Sequence, residues 1–241
     1  HWPFCLSKCP YCDFNIHVRK SIDEDLWEEA LLKELDQTAE LLGPRQLSSI
    51  FFGGGTPSLM RPQTVDRLIQ RALSHWAPSQ HMEITLEANP NSVEVTRFND
   101  LALAGVNRVS IGIQALNDPD LKALGRMHNK DEALQAIQTG LKCFERVSFD
   151  LIYARPHQTL DAWKQELAQA LTFGTEHLSL YQLTIEPGTA FAPLYERGEL
   201  IIPGEDLAAD LYEQTQHQMT AAGLPAYEIS NHARPGAESR H

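Results

Sequence analysis

Long apolar runs are missing from these 241 residues, so no segment reads as a bilayer-spanning helix. A leader with a basic flank and a small-residue cleavage site is missing too. Basic residues are in deficit: 20 Lys and Arg stand against 32 Asp and Glu, a formal charge of -12. That balance argues against broad nucleic-acid binding, which needs a positive field to displace counterions. Cysteine is scarce, with four in the chain, and three of the four fall between Cys5 and Cys12. A secreted disulfide framework would spread them out, whereas clustering points to metal binding in a reducing compartment. The triplet Gly53-Gly54-Gly55 has neither the Gly-Lys-Ser/Thr of a nucleoside-triphosphate loop nor the G-x-G-x-x-G of a dinucleotide loop. No internal repeat or low-complexity tract stands out.

With 42% hydrophobic and 22% charged residues, the composition is that of a soluble globular chain, long enough for one large α/β domain. The first residue is His1 and the last are Glu238-Ser239-Arg240-His241, so the expectation is a piece of a longer protein.

The sequence alternates strand and helix patterns. Ser21 and Glu24 have capping-box spacing and open a helix over 21–42, with Ile22, Leu26, Ala30, Leu31, Leu35, Ala39 and Leu42 as its apolar stripe. Gly43-Pro44 ends it. Strands are expected near 48–53, 82–87, 106–113, 147–153 and 177–184. Helices are expected near 61–76, 92–104, 117–124, 131–145, 160–173 and 204–222. A sixth strand would precede the cysteines, with His1-Trp2 at its end. Such alternation implies parallel βαβ units, wound either into a barrel or into an open doubly wound sheet. In both, ligands collect at the C-terminal strand ends. The polar and glycine-rich signals fall there: Gly53–Pro57, Glu87-Ala88-Asn89-Pro90 and Gln114 follow strands, and Asp150 lies within one.

The cysteine loop reads Cys5-Leu6-Ser7-Lys8-Cys9-Pro10-Tyr11-Cys12-Asp13-Phe14. Its C-x3-C-x2-C spacing lets three thiolates hold three irons of a [4Fe-4S] cubane and leave the fourth iron open to a small chelating ligand. A zinc site completed by His1 or His17 is the alternative, and would make the chain a zinc-stabilised binding module. Cys143, on a helix pattern, reads as a small core residue.

C-x3-C-x2-C with Tyr11 before the third cysteine resembles the radical S-adenosylmethionine (SAM) signature. Cys-Pro-Tyr-Cys-Asp-Phe is similar to the branch that contains oxygen-independent coproporphyrinogen III oxidase and the HemW-type heme chaperone. The resemblance runs on through Phe-Phe-Gly-Gly-Gly-Thr-Pro-Ser at 51–58, Glu-Ala-Asn-Pro at 87–90 and Val-Ser-Ile-Gly-Ile-Gln at 109–114. It continues in Leu-Gly-Arg-Met-His at 124–128, Asp-Leu-Ile-Tyr at 150–153 and Tyr-Glu-Ile-Ser-Asn-His-Ala-Arg-Pro-Gly at 227–236. It implies an α/β fold, a partial (β/α)6 barrel of parallel strands with cluster and SAM at their C-terminal ends. The implied core is 1–225, its first strand largely missing, with 226–241 opening a truncated C-terminal region. Cys5, Cys9 and Cys12 would hold the cluster. Tyr11 would pack beside the cluster and the adenine, Gly54, Gly55 and Thr56 would contact the methionine end of SAM, and Glu87 would bind the ribose. Gln114, Arg126 and Asp150 match the remaining SAM contacts. Ala154 and His157 stand where the family carries glycines, so that loop is expected to differ.

One position separates the two branch members. The oxidase has an extra cysteine two residues after the third ligand, and here that residue is Phe14. The resemblance therefore implies a heme chaperone with heme as cargo, delivering it to respiratory hemoproteins. It would be cytoplasmic, at most peripheral at a membrane. The enzyme alternative is radical decarboxylation of porphyrinogen propionates. Ten histidines offer axial ligands for heme, and the sequence selects none.

Overall fold

The structure is a computed structural model and describes residues 1–19 and 21–241. The chain runs β1 (Phe4–Cys5), β2 (His17–Val18), α1 (Glu24–Leu42), β3 (Gln46–Phe52), a 3-10 turn (Pro57–Leu59), α2 (Pro62–His75) and β4 (Ala77–Ala88). Then come α3 (Ser92–Val95), α4 (Phe98–Leu103), β5 (Arg108–Gln114), α5 (Asp118–Ala123), α6 (Lys130–Cys143) and β6 (Arg146–Tyr153). Last are α7 (Leu160–Leu171), β7 (His177–Gln182), α8 (Phe191–Glu196), α9 (Glu205–Ala221) and β8 (Asn231–Ala233).

Strands β3 to β8 form one six-stranded sheet in sequence order. β3 to β7 pair in parallel, and β8 adds to β7 antiparallel. A doubly wound sheet reverses its strand order at a switch point. This one never reverses, so right-handed crossovers put its helices on one face and the sheet curls into a half-barrel. That decides between the two architectures the periodicity allowed. Trp2 makes a parallel bridge to Gly54, so the residues before the cysteine loop lie beside the end of β3.

The sheet is two-faced because side chains alternate along a strand. On β5, Val109, Ile111 and Ile113 are fully buried. Val109 and Ile111, with Val147 of β6, face Gly140 of α6. Such residues contribute about 1.5–3 kcal/mol each when fully buried. Ser110, Gly112 and Gln114 alternate with them and line the concave cavity. Below that cavity, Glu83 on the inner face takes hydrogen bonds from Arg108, Arg146 and the Arg240 backbone. Residues 237–240 thus cross the barrel floor.

Four expectations need correction. The N-cap of α1 is Asp23, whose side chain accepts from Leu26 N at 3.1 Å. Ser21 and Glu24 make no capping box, because Glu24 instead accepts from Arg61 N at 2.9 Å and ties α1 to α2. In the α1 stripe Leu26, Ala30 and Leu42 are exposed, while Trp27, which the stripe omitted, packs on the core. The helix expected over 92–104 is two, α3 and α4, interrupted at Thr96-Arg97, where Arg97 Nη1 donates to Leu59 O. Short elements (β1, β2, α8 and β8) went unread. Among the described residues no helix is long and apolar enough to cross a membrane.

Candidate functional site

The cysteine loop is anchored at both ends. Phe4 sits in the core, edge-on to Trp2 and Trp27. Gly55 N donates to Trp2 O and Thr56 N to Phe4 O, at 2.7 and 2.8 Å. Gly55 has to be glycine, since a Cβ there would stand 2.6 Å from the Phe4 carbonyl oxygen. On the far side Phe191 N of α8 donates to Pro10 O at 2.9 Å. The loop is therefore held between the β3 turn and α8.

It roofs a cavity of about 390 Å³ at the C-terminal ends of the strands. Every residue assigned above to the cluster or to SAM meets there, whereas His1, His17 and Cys143 do not line it. Cys5, Cys9, Tyr11 and Cys12 come from the roof; Gly54, Gly55 and Thr56 come from the β3 turn. Glu87, Gln114 and Asp150 come from β4, β5 and β6, and Arg126 from the turn after α5. At the mouth stand three exposed apolar side chains: Leu6 at 48%, Phe14 at 60% and Met127 at 67%.

Each thiol has its own donor. Thr56 Oγ1 donates to Cys5 Sγ at 3.3 Å and Arg126 Nη1 to Cys9 Sγ at 3.2 Å. The Phe14 backbone N–H serves Cys12. All four cysteines are free. Burial pushes the Cys5 and Cys12 thiols up, and each also feels the charge of Cys9. The three sulfurs thus share one neighbourhood.

The strand ends supply two reluctant anions. Burial raises Glu87 to about 7, helped by the charge of Asp150 and opposed by Gly54 N, which donates to it at 3.1 Å. Burial also raises Asp150 to about 6, against hydrogen bonds from Ser110 and Ser179. A cation entering the cavity would favour ionisation of both. Arg126 is buried but kept charged by Tyr11 and Cys9, and it also donates to Asn89 Oδ1 and Gly112 O. Burial pushes Tyr11 well above the ordinary phenol range. His128 is held down to about 4 by burial, its Nε2 on Ile113 O.

Gln114 is the strained member, with φ at +72° where the β5–β6 register slips. Such a bulge re-aims a side chain, and here it turns Gln114 into the cavity. A buried ion pair holds the bend from behind: Arg155 donates to Gln114 O and pairs with Glu166, and Glu166 accepts from Leu116 N. The loop expected to differ keeps its left-handed turns without glycine, with φ +57° at Ala154 and +60° at His157.

Sequence reasoning missed Arg155, Glu166, Ser110 and Ser179. It noted Asn89 only as part of a motif. The inward period of two along β5 and β7 was the available signal for the serines.

The donors fit a cluster and a polar cationic ligand. Three free thiols face one cavity, and Gln114 Oε1 is buried with no protein partner among the described residues. Among the described residues no three His, Cys, Asp or Glu side chains gather round a point for a single ion. In a cubane each thiolate takes its own iron, so three cysteines on one loop suit a cluster.

Fold and site together define a half-barrel protein with three free thiols, two buried carboxyls and an arginine gathered at the strand ends. The chain belongs to the radical SAM superfamily, whose family model matches residues 1–170. Membership implies a [4Fe-4S] cluster and S-adenosylmethionine as cofactors. The chain is 40% identical over 242 residues to the zebrafish protein named "Radical S-adenosyl methionine domain-containing protein 1, mitochondrial", covering all of this chain and 54% of that one. It is 40% identical over 246 residues to the Escherichia coli K12 protein named "Heme chaperone HemW", covering 63% of it. The chain therefore spans little more than half to three-fifths of the length of these relatives. Among solved structures, E. coli coproporphyrinogen III oxidase (HemN), described as a radical SAM enzyme, superposes with a TM-score of 0.83 at 24% identity. That match covers 97% of this chain and 54% of the other, and it shows the shared half-barrel fold.

Proposed function

We propose that this chain is the cofactor-binding core of a heme chaperone, with heme as cargo and respiratory hemoproteins as recipients. Cys5, Cys9 and Cys12 hold the cluster. Gly54, Gly55 and Thr56 receive the amino-acid end of SAM, Glu87 its ribose and Tyr11 its adenine. Gln114, Arg126 and Asp150 complete the pocket. When bound, the cluster would supply one-electron chemistry next to SAM, with Cys5, Cys9 and Cys12 holding it. The protein's own part is to bind and orient: glycines allow close approach, Glu87 and Asp150 attract the cation, and the roof excludes water. The core is placed at 1–225, with 226–241 opening a further region. The protein is placed in the cytoplasm, at most peripheral to a membrane.

The observation that carries the chaperone reading is Phe14, 60% exposed at the mouth where an oxidase would carry a further cysteine. Ligand pockets run to ~300–1,000 Å³, and a cavity of about 390 Å³ lies at the small end of that range. A macrocycle would then lie outside, on Leu6, Phe14 and Met127. The relative named a heme chaperone, identical at 40% across the whole chain, supports the same reading. The test is heme titration into anaerobically reconstituted full-length protein, where one heme per chain is expected. Absence of stoichiometric binding overturns the reading, as does turnover of coproporphyrinogen at enzymatic rates under reducing, oxygen-free conditions.

A further inference from the structure

Two of the three thiol donors are linked by a side chain that touches no cysteine. Asn89 Oδ1 accepts from Arg126 Nη2 at 2.6 Å, and Asn89 Nδ2 donates to Thr56 Oγ1 at 2.9 Å. Arg126 has no acceptor atom, so its contact fixes which end of the amide is oxygen. The amide NH2 therefore faces Thr56. A hydroxyl has one proton and two lone pairs. With Asn89 donating into a lone pair, the Thr56 proton is left for Cys5 Sγ, 3.3 Å away. Arg126 meanwhile gives a second N–H to Cys9 Sγ at 3.2 Å. The relay is rigid: Thr56 is 2% exposed, Asn89 N is held by Glu94 at 2.8 Å, and Arg126 is fixed again by Gly112 O at 2.8 Å.

We infer that Arg126, Asn89 and Thr56 form a directed hydrogen-bond relay that sets the reduction potential of the cluster, with Asn89 as its positioning residue. This rests on the reading that the three thiols hold a cluster. Donors to cluster sulfurs stabilise the more negative, reduced state and raise the potential. Thr56 and Arg126 thus act on the cluster in addition to any contact with SAM. Reversing the amide reverses the relay: an Asp at 89 only accepts, so both Arg126 and Thr56 would point protons at it and Cys5 would lose its donor.

The test compares wild type, Thr56→Ser, Thr56→Val, Asn89→Asp and the double variant Thr56→Val/Asn89→Asp. Each is reconstituted anaerobically with iron and sulfide, counted for both, and titrated redox-wise by EPR without SAM. Wild type and Thr56→Ser are expected to share one potential. At the ambient potential that half-reduces wild type, Thr56→Val is expected to show a reduced-to-oxidised ratio several-fold lower; tenfold corresponds to ~59 mV for one electron. Asn89→Asp is expected to shift the same way, and the double variant to fall short of the sum, because both changes remove one proton from Cys5. Iron-replete Thr56→Val at the wild-type potential overturns the relay. Full additivity in the double variant overturns the role of Asn89, since a new charge acting alone would add. Loss of iron from Thr56→Val with Thr56→Ser intact supports the relay as a support for Cys5, and loss from both overturns it in favour of packing by the Thr56 methyl. Wild type that takes up no iron sinks the cluster reading instead, a separate result.

Discussion

Glu87→Gln tests whether the cavity is held ready for a cation. Glu87 stands at about 7 instead of 4.5, first because it is buried, then because Asp150 faces it. Each tenfold change in proton affinity is worth ~1.4 kcal/mol, so ionising Glu87 in the folded chain costs on the order of 3 kcal/mol relative to the unfolded chain. A carboxyl raised by folding stabilises fully below its unfolded pKa, and that contribution disappears as pH climbs through the folded one. At pH 5 Glu87 is protonated in the native chain, and Gln, a neutral isostere able to accept from Gly54 N, should change little. By pH 8 wild type carries a buried carboxylate beside Asp150, and the variant does not. Asp150 itself stands at about 6, so the two titrate as a coupled pair and part of the gain will appear as easier ionisation of Asp150. The assay is urea unfolding of the cofactor-free chain at pH 5, 6, 7 and 8. The stability gap in favour of Glu87→Gln should widen by ~2–3 kcal/mol across that range. A gap that stays constant, or one that closes as pH rises, refutes the reasoning.

Four further outcomes follow from the loops that frame the cavity. His157 is exposed at φ +60°, so His157→Gly should raise stability by ~0.5–1 kcal/mol in urea midpoints, relieving left-handed strain. Ala154→Gly should be close to neutral, because its buried methyl is worth ~0.8 kcal/mol and offsets the same relief. Arg155→Leu should cost ~3–5 kcal/mol by stranding Glu166 in the interior, and Arg155→Leu/Glu166→Leu should recover most of it in the same assay. Gly125→Ala puts a Cβ 2.6 Å from Pro10 Cδ at a φ of +65°. It should push the Cys9–Tyr11 segment off its seat and lower iron per chain after anaerobic reconstitution; full iron uptake would refute that.

The parts legible in the sequence were those fixed by local pattern. Apolar runs bounded by Gly and Pro marked β3 to β7, and the polar residues at their ends marked the cavity. What was illegible depends on partners distant in sequence. Ser21 and Glu24 have the right spacing for a capping box, yet Asp23 caps the helix because Glu24 is drawn to Arg61, 37 residues away. Asn89 looks like a turn residue before Pro90; only Arg126, again 37 residues away, gives its amide a direction. Nothing local to Arg155 shows that Glu166 and the Gln114 carbonyl meet it in the interior. β8 is three residues long and joins β7 antiparallel, against the parallel pattern that revealed the rest.

Parallel pairing explains why the site is both compact and strained. Register sets Glu87 beside Ser110, Gly112 beside Asp150 and Asp150 beside Ser179. Side chains of alternate residues on adjacent strands therefore stand level and point the same way. Two carboxylates on strands β4 and β6 are brought into one dry space where neither ionises freely. The sheet's geometry brings the two carboxylates together, and the loops that roof the cavity add to the burial that creates the unfavourable term. A bound cation would lower both proton affinities and remove that term, so what the two buried carboxyls cost in stability at neutral pH favours cation binding. The sulfonium and ammonium charges of S-adenosylmethionine are of the sign this requires, and Gln at position 87 should weaken that preference as it steadies the fold.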